Sequence, residues 1–236
     1  MVRLHLSNFI EIFLYPKTPL AGCFSLAYTR GHMETLAKLL GGHARVKIMR
    51  LFLLNSGNAF DIDDVSSRSR VTKPNVRKEI NALSAMGFIK SRSLIKEGVR
   101  TKKKVSAWQL NTNFQYISAV KDLLIDPNLL MQEDLASRFK PIGRIKMMVV
   151  SGVFIGDEKS RADLLIVGDR LKKNILNQVI KGLEAEIGKE LDYVVLDTEE
   201  FKYRLDMYDK LVCDILDLPH MKLLDNEQLS TYASKR

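Results

Sequence analysis

The sequence predicts an α+β chain of two domains, a helical cluster closed by a strand hairpin followed by a small α/β unit. Three observations lead there. Between residues 43 and 110, apolar positions recur at helical spacing in short runs and then pass into two strand-like runs around a basic turn. From residue 144 onward, short apolar runs alternate with helical ones, the pattern of strands and helices in turn. Charge divides the same way: the formal +9 over 236 residues resolves into +10 for residues 41–110, +2 for 1–40 and −3 for 111–236. A chain of this length exceeds the usual single-domain size, and 46% apolar residues suffice for packed cores. Positive charge confined to one segment favours a polyanionic partner through phosphate contacts and counterion release.

Residues 1–32 carry the least pattern. Leu4 to Leu14 is apolar and aromatic, but Glu11, Pro16 and Lys17 interrupt it, leaving too short a run to span a membrane. Arg3, that run and Ala21-Gly22-Cys23 have the outline of a signal peptide, which a cytoplasmic location of the following module argues against. The expected translation start is Met33, directly before the well-patterned Glu34 to Leu40, and an intact mass of the native protein decides it. His43 to Leu54 is the first full helix, with Ala44, Ile48, Leu51 and Phe52 at helical spacing and Ser56-Gly57-Asn58 to stop it. Ala59-Phe60 reads as a short strand, and Asp61 as the N-cap of a short helix, Ile62 to Arg68. After a turn at Arg70-Val71 comes the stretch on which the reading centres, Thr72 to Leu83. Thr72 is a capping residue and Pro74 suits the first turn; Val76, Ile80 and Leu83 share one face. Arg77, Lys78 and Asn81 lie opposite, with Lys73 and Asn75 at the N-terminal edge. Helix, turn, helix in this order is a DNA-binding arrangement. Gly87-Phe88-Ile89 ends the helix. Ile89 to Ile95 and Val105 to Leu110 then read as strands, joined by a basic turn with Lys96, Arg100, Lys102, Lys103 and Lys104 around it, the wing of a winged helix.

Residues 34–110 resemble the winged helix-turn-helix of bacterial and archaeal ArsR-type regulators, on Ala44-Arg45-Val46-Lys47-Ile48, Thr72-Lys73-Pro74-Asn75-Val76-Arg77-Lys78-Glu79 and Met86-Gly87-Phe88-Ile89. The resemblance implies a helix at Thr72–Leu83 that enters the major groove of double-stranded DNA and a hairpin tip that touches backbone or minor groove. Lys73, Asn75, Arg77 and Lys78 would inherit the groove contacts, with Asn81 on the same face and Arg100, Lys102, Lys103 and Lys104 at the tip. Arg77 suits guanine and Asn75 adenine; Arg45 or Arg50 would hold phosphates. A homodimer on two half-sites accompanies this expectation.

Within residues 114–143, read as a helical connector, Phe114 to Leu124 and Gln132 to Phe139 are helical runs on either side of Asp126-Pro127-Asn128. Trp108, the single tryptophan, reads as hairpin packing. Strands follow at Ile145–Val150, Ala162–Val167 and Tyr193–Leu196, with a helix from Leu171 to Ile187 and another capped by Thr198, in which Phe201 and Leu205 face inward. The acidic run Asp206 to Asp217 reads as a solvated helix face, and 225–236 as a tail.

Residues 144–224 resemble a nucleotidyltransferase-like domain of the minimal, polymerase-β-type superfamily. Such enzymes place Gly-Ser after the first strand and Asp-x-Asp on the second, whose two carboxylates face the same side and hold divalent metal. Here these sites read Ser151-Gly152 and Arg161-Ala162-Asp163, so one carboxylate survives beside an arginine that could pair with it; Asp192 is a candidate third carboxylate. The resemblance therefore implies a degenerate unit for dimerisation, nucleotide sensing or scaffolding. Ser151, Gly152 and Asp163 are its vestigial nucleotide-binding candidates, with no catalytic residue, no metal and no cofactor expected. No Cys-x-x-Cys pair, zinc spacing, Walker loop or dinucleotide fingerprint is present. The expected protein is a cytoplasmic, DNA-binding transcriptional regulator. Two readings from other classes stay open: a metal-dependent nucleotidyltransferase acting on a small molecule, protein or RNA, and a module whose winged helix binds protein.

Overall fold

The computed structural model describes residues 34–97, 102–125, 135–157, 159–226, 229 and 231. The expected start at Met33, the turn residue Arg100 and the first residues of the helix expected from Gln132 lie outside them. The architecture of the described residues is mixed α+β, with two small sheets. Among the described residues no helix is long and apolar enough to cross a membrane.

The chain is helical through residues 34–40 (α1) and stops at Gly41 and Gly42, whose φ of 91° and 130° a side chain would resist. Helix α2, His43–Leu54, buries Val46, Ile48, Met49, Arg50, Leu51, Phe52 and Leu53, more than one amphipathic face. A helix apolar almost all round lies between two partners. Strand β1, Ala59–Phe60, leads to α3, Ile62–Ser69, which Asp61 and Asp64 cap reciprocally and Arg70 ends in the left-handed region at φ 53°. Helix α4, Lys73–Ala85, buries Val76, Ile80 and Leu83 as the spacing requires. Thr72 stands at its N-cap but makes no side-chain capping bond. Strands β2, Ile89–Glu97, and β3, Lys102–Leu110, pair antiparallel from Ile89 opposite Leu110 to Glu97 opposite Lys102, and β1 joins β3 on the other side. The ladder outruns the apolar runs at the turn end, because main-chain bonding continues through Lys96 and Lys103 without apolar alternation. Phe52, Phe60, Val65, Val76, Ile80, Leu83 and Phe88 form the first core, with Trp108 packed against it.

The stretch read as a connector divides between the two halves. Helix α5, Ile117–Leu124, packs Leu124 into the first core. Helix α6, Leu135–Phe139, and a 3-10 turn, Lys140–Ile142, carry Phe139 and Ile142 into a second core.

The second sheet has the order β6-β5-β4-β7, from β4 (Arg144–Val150), β5 (Leu164–Asp169), β6 (Tyr193–Leu196) and β7 (Met221–Leu224). Only β5 and β6 run parallel. Met148, Val150, Leu164 and Ile166 pack under α7, Lys173–Ile187, while Met147, Val149, Leu165 and Val167 pack under α8, Thr198–Asp206, and α9, Lys210–Asp217. Layers on both faces explain why β4 and β5 read as continuous apolar runs. The expected cap at Thr198 moves one residue: Asp197 accepts the Glu200 N–H at 2.7 Å. The acidic run expected as one helix face is split at Tyr208, φ 52°, between α8 and α9. Leu229, in the segment read as a tail, is buried in the third apolar cluster.

The two halves meet along α2. Arg50, only 2% exposed, donates from Nε to the Leu124 carbonyl at 2.8 Å and from Nη1 to the Glu186 carbonyl at 3.0 Å. Burial pulls its guanidinium down to about 10, against the opposing charge of Glu186. Asn55 Nδ2 bonds the carbonyls of Leu51 at 2.7 Å and Gly188 at 2.8 Å. Gly188 ends α7 at φ 90°, and a Cβ there would lie 2.5 Å from the Leu51 nitrogen.

Candidate nucleic-acid interface

Helix α4 is held by its apolar edge and by one ion pair. Its only acid, Glu79, is buried and accepts from Arg45 Nε at 2.6 Å across to α2. Glu79 stands between Val76 and Ile80 on the inward side, where a carboxylate needs a cation, and Arg45 supplies it. That bond removes the negative charge from the outer surface of α4. Lys73, Asn75, Arg77, Lys78 and Asn81 are all exposed, and Lys73, Arg77 and Asn81 follow at intervals of four along one row. Arg77 and Lys78 have no carboxylate partner among the described residues, whereas Lys73 Nζ pairs with Asp63 at 2.8 Å at the exposed start of the helix.

Three cations expected near phosphates do structural work instead. Arg45 is committed to Glu79, and Arg50 is sealed in the seam between the halves. Lys96 leaves the hairpin turn to lie on the N-terminus of α3, with Nζ 2.7 Å from Asp61 and 2.9 Å from Asp64. Bonds to both carboxylates raise the Lys96 pKa, and Asp61 is lowered in return despite its partial burial. This pair of bonds fixes the hairpin against α3. Lys104 is exposed on β3, and Lys102 and Lys103 are placed by their strand alone.

In the second half, Ser151, Gly152 and Asp163 do come together, but as a closed junction. Asp163 is 3% exposed and lies just before β5 rather than on it. Its Oδ1 accepts the Val153 N–H at 2.8 Å and its Oδ2 the Asp192 N–H at 3.0 Å. The Ser151 hydroxyl donates to the Ala162 carbonyl. Gly152, at φ 57°, lies so close that a Cβ would meet the Asp163 carboxylate. Arg161 turns to Asp214 at 2.9 Å rather than to Asp163, and Asp192 contributes its backbone while its side chain is exposed. Among the described residues no three His, Cys, Asp or Glu gather as a metal site.

A polar network absent from the sequence reading lies at the end of β5. Lys146 Nζ is 2.7 Å from Asp169 and 2.9 Å from the Thr198 hydroxyl, which itself donates to Asp169 Oδ1 at 2.6 Å. Lys146, then Thr198, hold the Asp169 carboxyl down to about 2. The sequence offered no signal for it, since the three residues stand on three separate elements. No protein-family model, curated protein or solved structure matches the chain.

Proposed function

We propose that this chain is a cytoplasmic, sequence-specific transcriptional regulator of double-stranded DNA, in which residues 33–113 act as a winged helix-turn-helix. In this reading α4 is the recognition helix and the β2–β3 hairpin the wing. The observation that carries it is the outer surface of α4: Asn75, Arg77, Lys78 and Asn81 exposed together, their one acidic neighbour turned inward and neutralised by Arg45. Arg77 reads guanine and Asn75 adenine, while Lys104 serves phosphates. The −3 of residues 111–236 suits a part that stays off the duplex, and a homodimer on two half-sites is the accompanying arrangement. The occupied carboxylate of Asp163 weighs against the transfer of nucleotides at that junction.

Selection of bound duplexes from a random pool, followed by fluorescence anisotropy on the full chain at two salt concentrations, tests this. An enriched motif with a steep salt slope is expected. Binding without enrichment defeats the sequence-specific reading, and no binding at low salt defeats the DNA reading altogether.

A further inference from the structure

The seam between the halves opens into a cleft of about 210 Å³. Arg68 and Arg70 reach it from the end of α3, and Lys181, Glu184, Lys189 and Glu190 from α7 and the residues after it. Four cations thus line the cleft with two carboxylates: Glu190 pairs with Arg68 at 2.9 Å, Glu184 accepts only the Leu191 N–H at 3.1 Å among the described residues, and Lys189 lies 3.9 Å from Asp163. Arg70 and Lys181 have no carboxylate partner among the described residues, and both line the same space, one from each half. The Arg70 guanidinium lies across the seam, 3.8 Å from where a side chain on Gly182 of α7 would begin. Arg68, Arg70 and Lys189 stand at helix C-termini, where the helix dipole favours a cation. Lys181 stands in the body of α7, where the dipole gives it no such reason.

We propose that this cleft binds a small phosphate-bearing ligand, held between Arg70 of the first half and Lys181 of the second. Arg70 and Lys181 line one cleft without a carboxylate partner, so cations outnumber acids there, and a guanidinium together with an ammonium suits a multiply charged phosphate group. The volume fits a phosphate with a small organic substituent, being below the roughly 300 Å³ at which sites for drug-sized ligands begin. The recess favours a small molecule over a duplex backbone. This inference does not depend on the DNA reading.

Calorimetric titration of the full chain with inorganic pyrophosphate, at ionic strength fixed with chloride, tests it. Saturable one-to-one binding is expected, weakened at least tenfold in the Arg70→Gln/Lys181→Gln double variant and unchanged in Arg77→Gln/Lys78→Gln. Lys181→Gln alone, at an exposed helical position where glutamine is nearly as good a helix former as lysine, should already weaken binding and gives a readout if the double variant fails to fold. Absence of saturable binding would overturn the proposal, leaving the cations as neutralisers of helix ends. Loss in the Arg77/Lys78 pair instead would move the anion to the outer surface of α4. Anisotropy with random duplex separates the two sources of phosphate: unchanged affinity in the double variant of the cleft supports a small ligand, and a matching tenfold loss would assign the cleft to the DNA backbone.

Discussion

Arg50 and Gly188 sit a few atoms apart and carry opposite lessons about side chains. Arg50 was indistinguishable in the sequence from the exposed cations around it, because a basic residue in a basic segment reads as surface; its burial follows from α2 being covered on two sides. Replacing it with alanine leaves the carbonyls of Leu124 and Glu186 without their donor and opens a cavity, an expected loss of roughly 2–4 kcal/mol measured by urea unfolding. At Gly188 an alanine must adopt φ 90° with its methyl against the Leu51 backbone, so a loss of at least about 2 kcal/mol is expected. On the outer surface of α4, Arg77→Ala should cost about 1–3 kcal/mol at a selected DNA site and relax one base position, whereas Lys104→Ala should weaken all sequences alike. Equal losses on selected and random DNA would refute a base-reading role for Arg77. Asp169 has a folded pKa depressed from its ordinary 3.8 to about 2, so the stability it lends is present above pH 4 and lost as pH falls through 2. Asp169→Asn should therefore flatten the melting temperature over that acid range while leaving its pH dependence near neutrality unaltered.

Helix α4 was legible because thirteen residues hold one period: the same spacing that buried Val76, Ile80 and Leu83 necessarily turned Arg77, Lys78 and Asn81 outward. Helix α3 was legible from a single capping aspartate, and the hairpin from its apolar runs, though not its full length. Strand β7 was missed altogether. Its four residues, Met-Lys-Leu-Leu, are half exposed and lack alternation, and they become a strand only because β4 has a free edge to pair with. The Asp163 junction was legible as a cluster of chain positions but not as a closed one, since no spacing rule shows that two distant amides will fill a carboxylate. Lys96 shows the same limit within an element that was otherwise foreseen. It ties the hairpin to the cap of α3, so Lys96→Met should lower hydrogen-exchange protection of the β2 amides near residues 94–96 and leave those of α2 unchanged. Equal protection in both proteins would show that the hairpin needs no such tie.

Across the whole molecule, α2 belongs to both halves: Phe52 lies in the first core, Leu54 packs on the second, and Arg50 and Asn55 bond backbone on each side. The sequence announced two halves through charge and periodicity but gave no sign of this shared helix, because apolar residues on every side of a helix do not say which neighbour each will meet. A single calorimetric transition is expected for the intact chain, and two separable ones in Arg50→Ala; two transitions in the unaltered protein would show that the seam contributes little. The seam also sets a rule for anyone dissecting the protein. A polypeptide ending at Ile125 keeps the entire first core, yet it leaves Leu54 and the α2 backbone around Leu51 bare to water, with Arg50 stripped of one acceptor. Such a fragment would be sticky and poorly soluble for reasons unrelated to its own folding, and co-production with residues 135–236 should restore it to solution as a non-covalent pair.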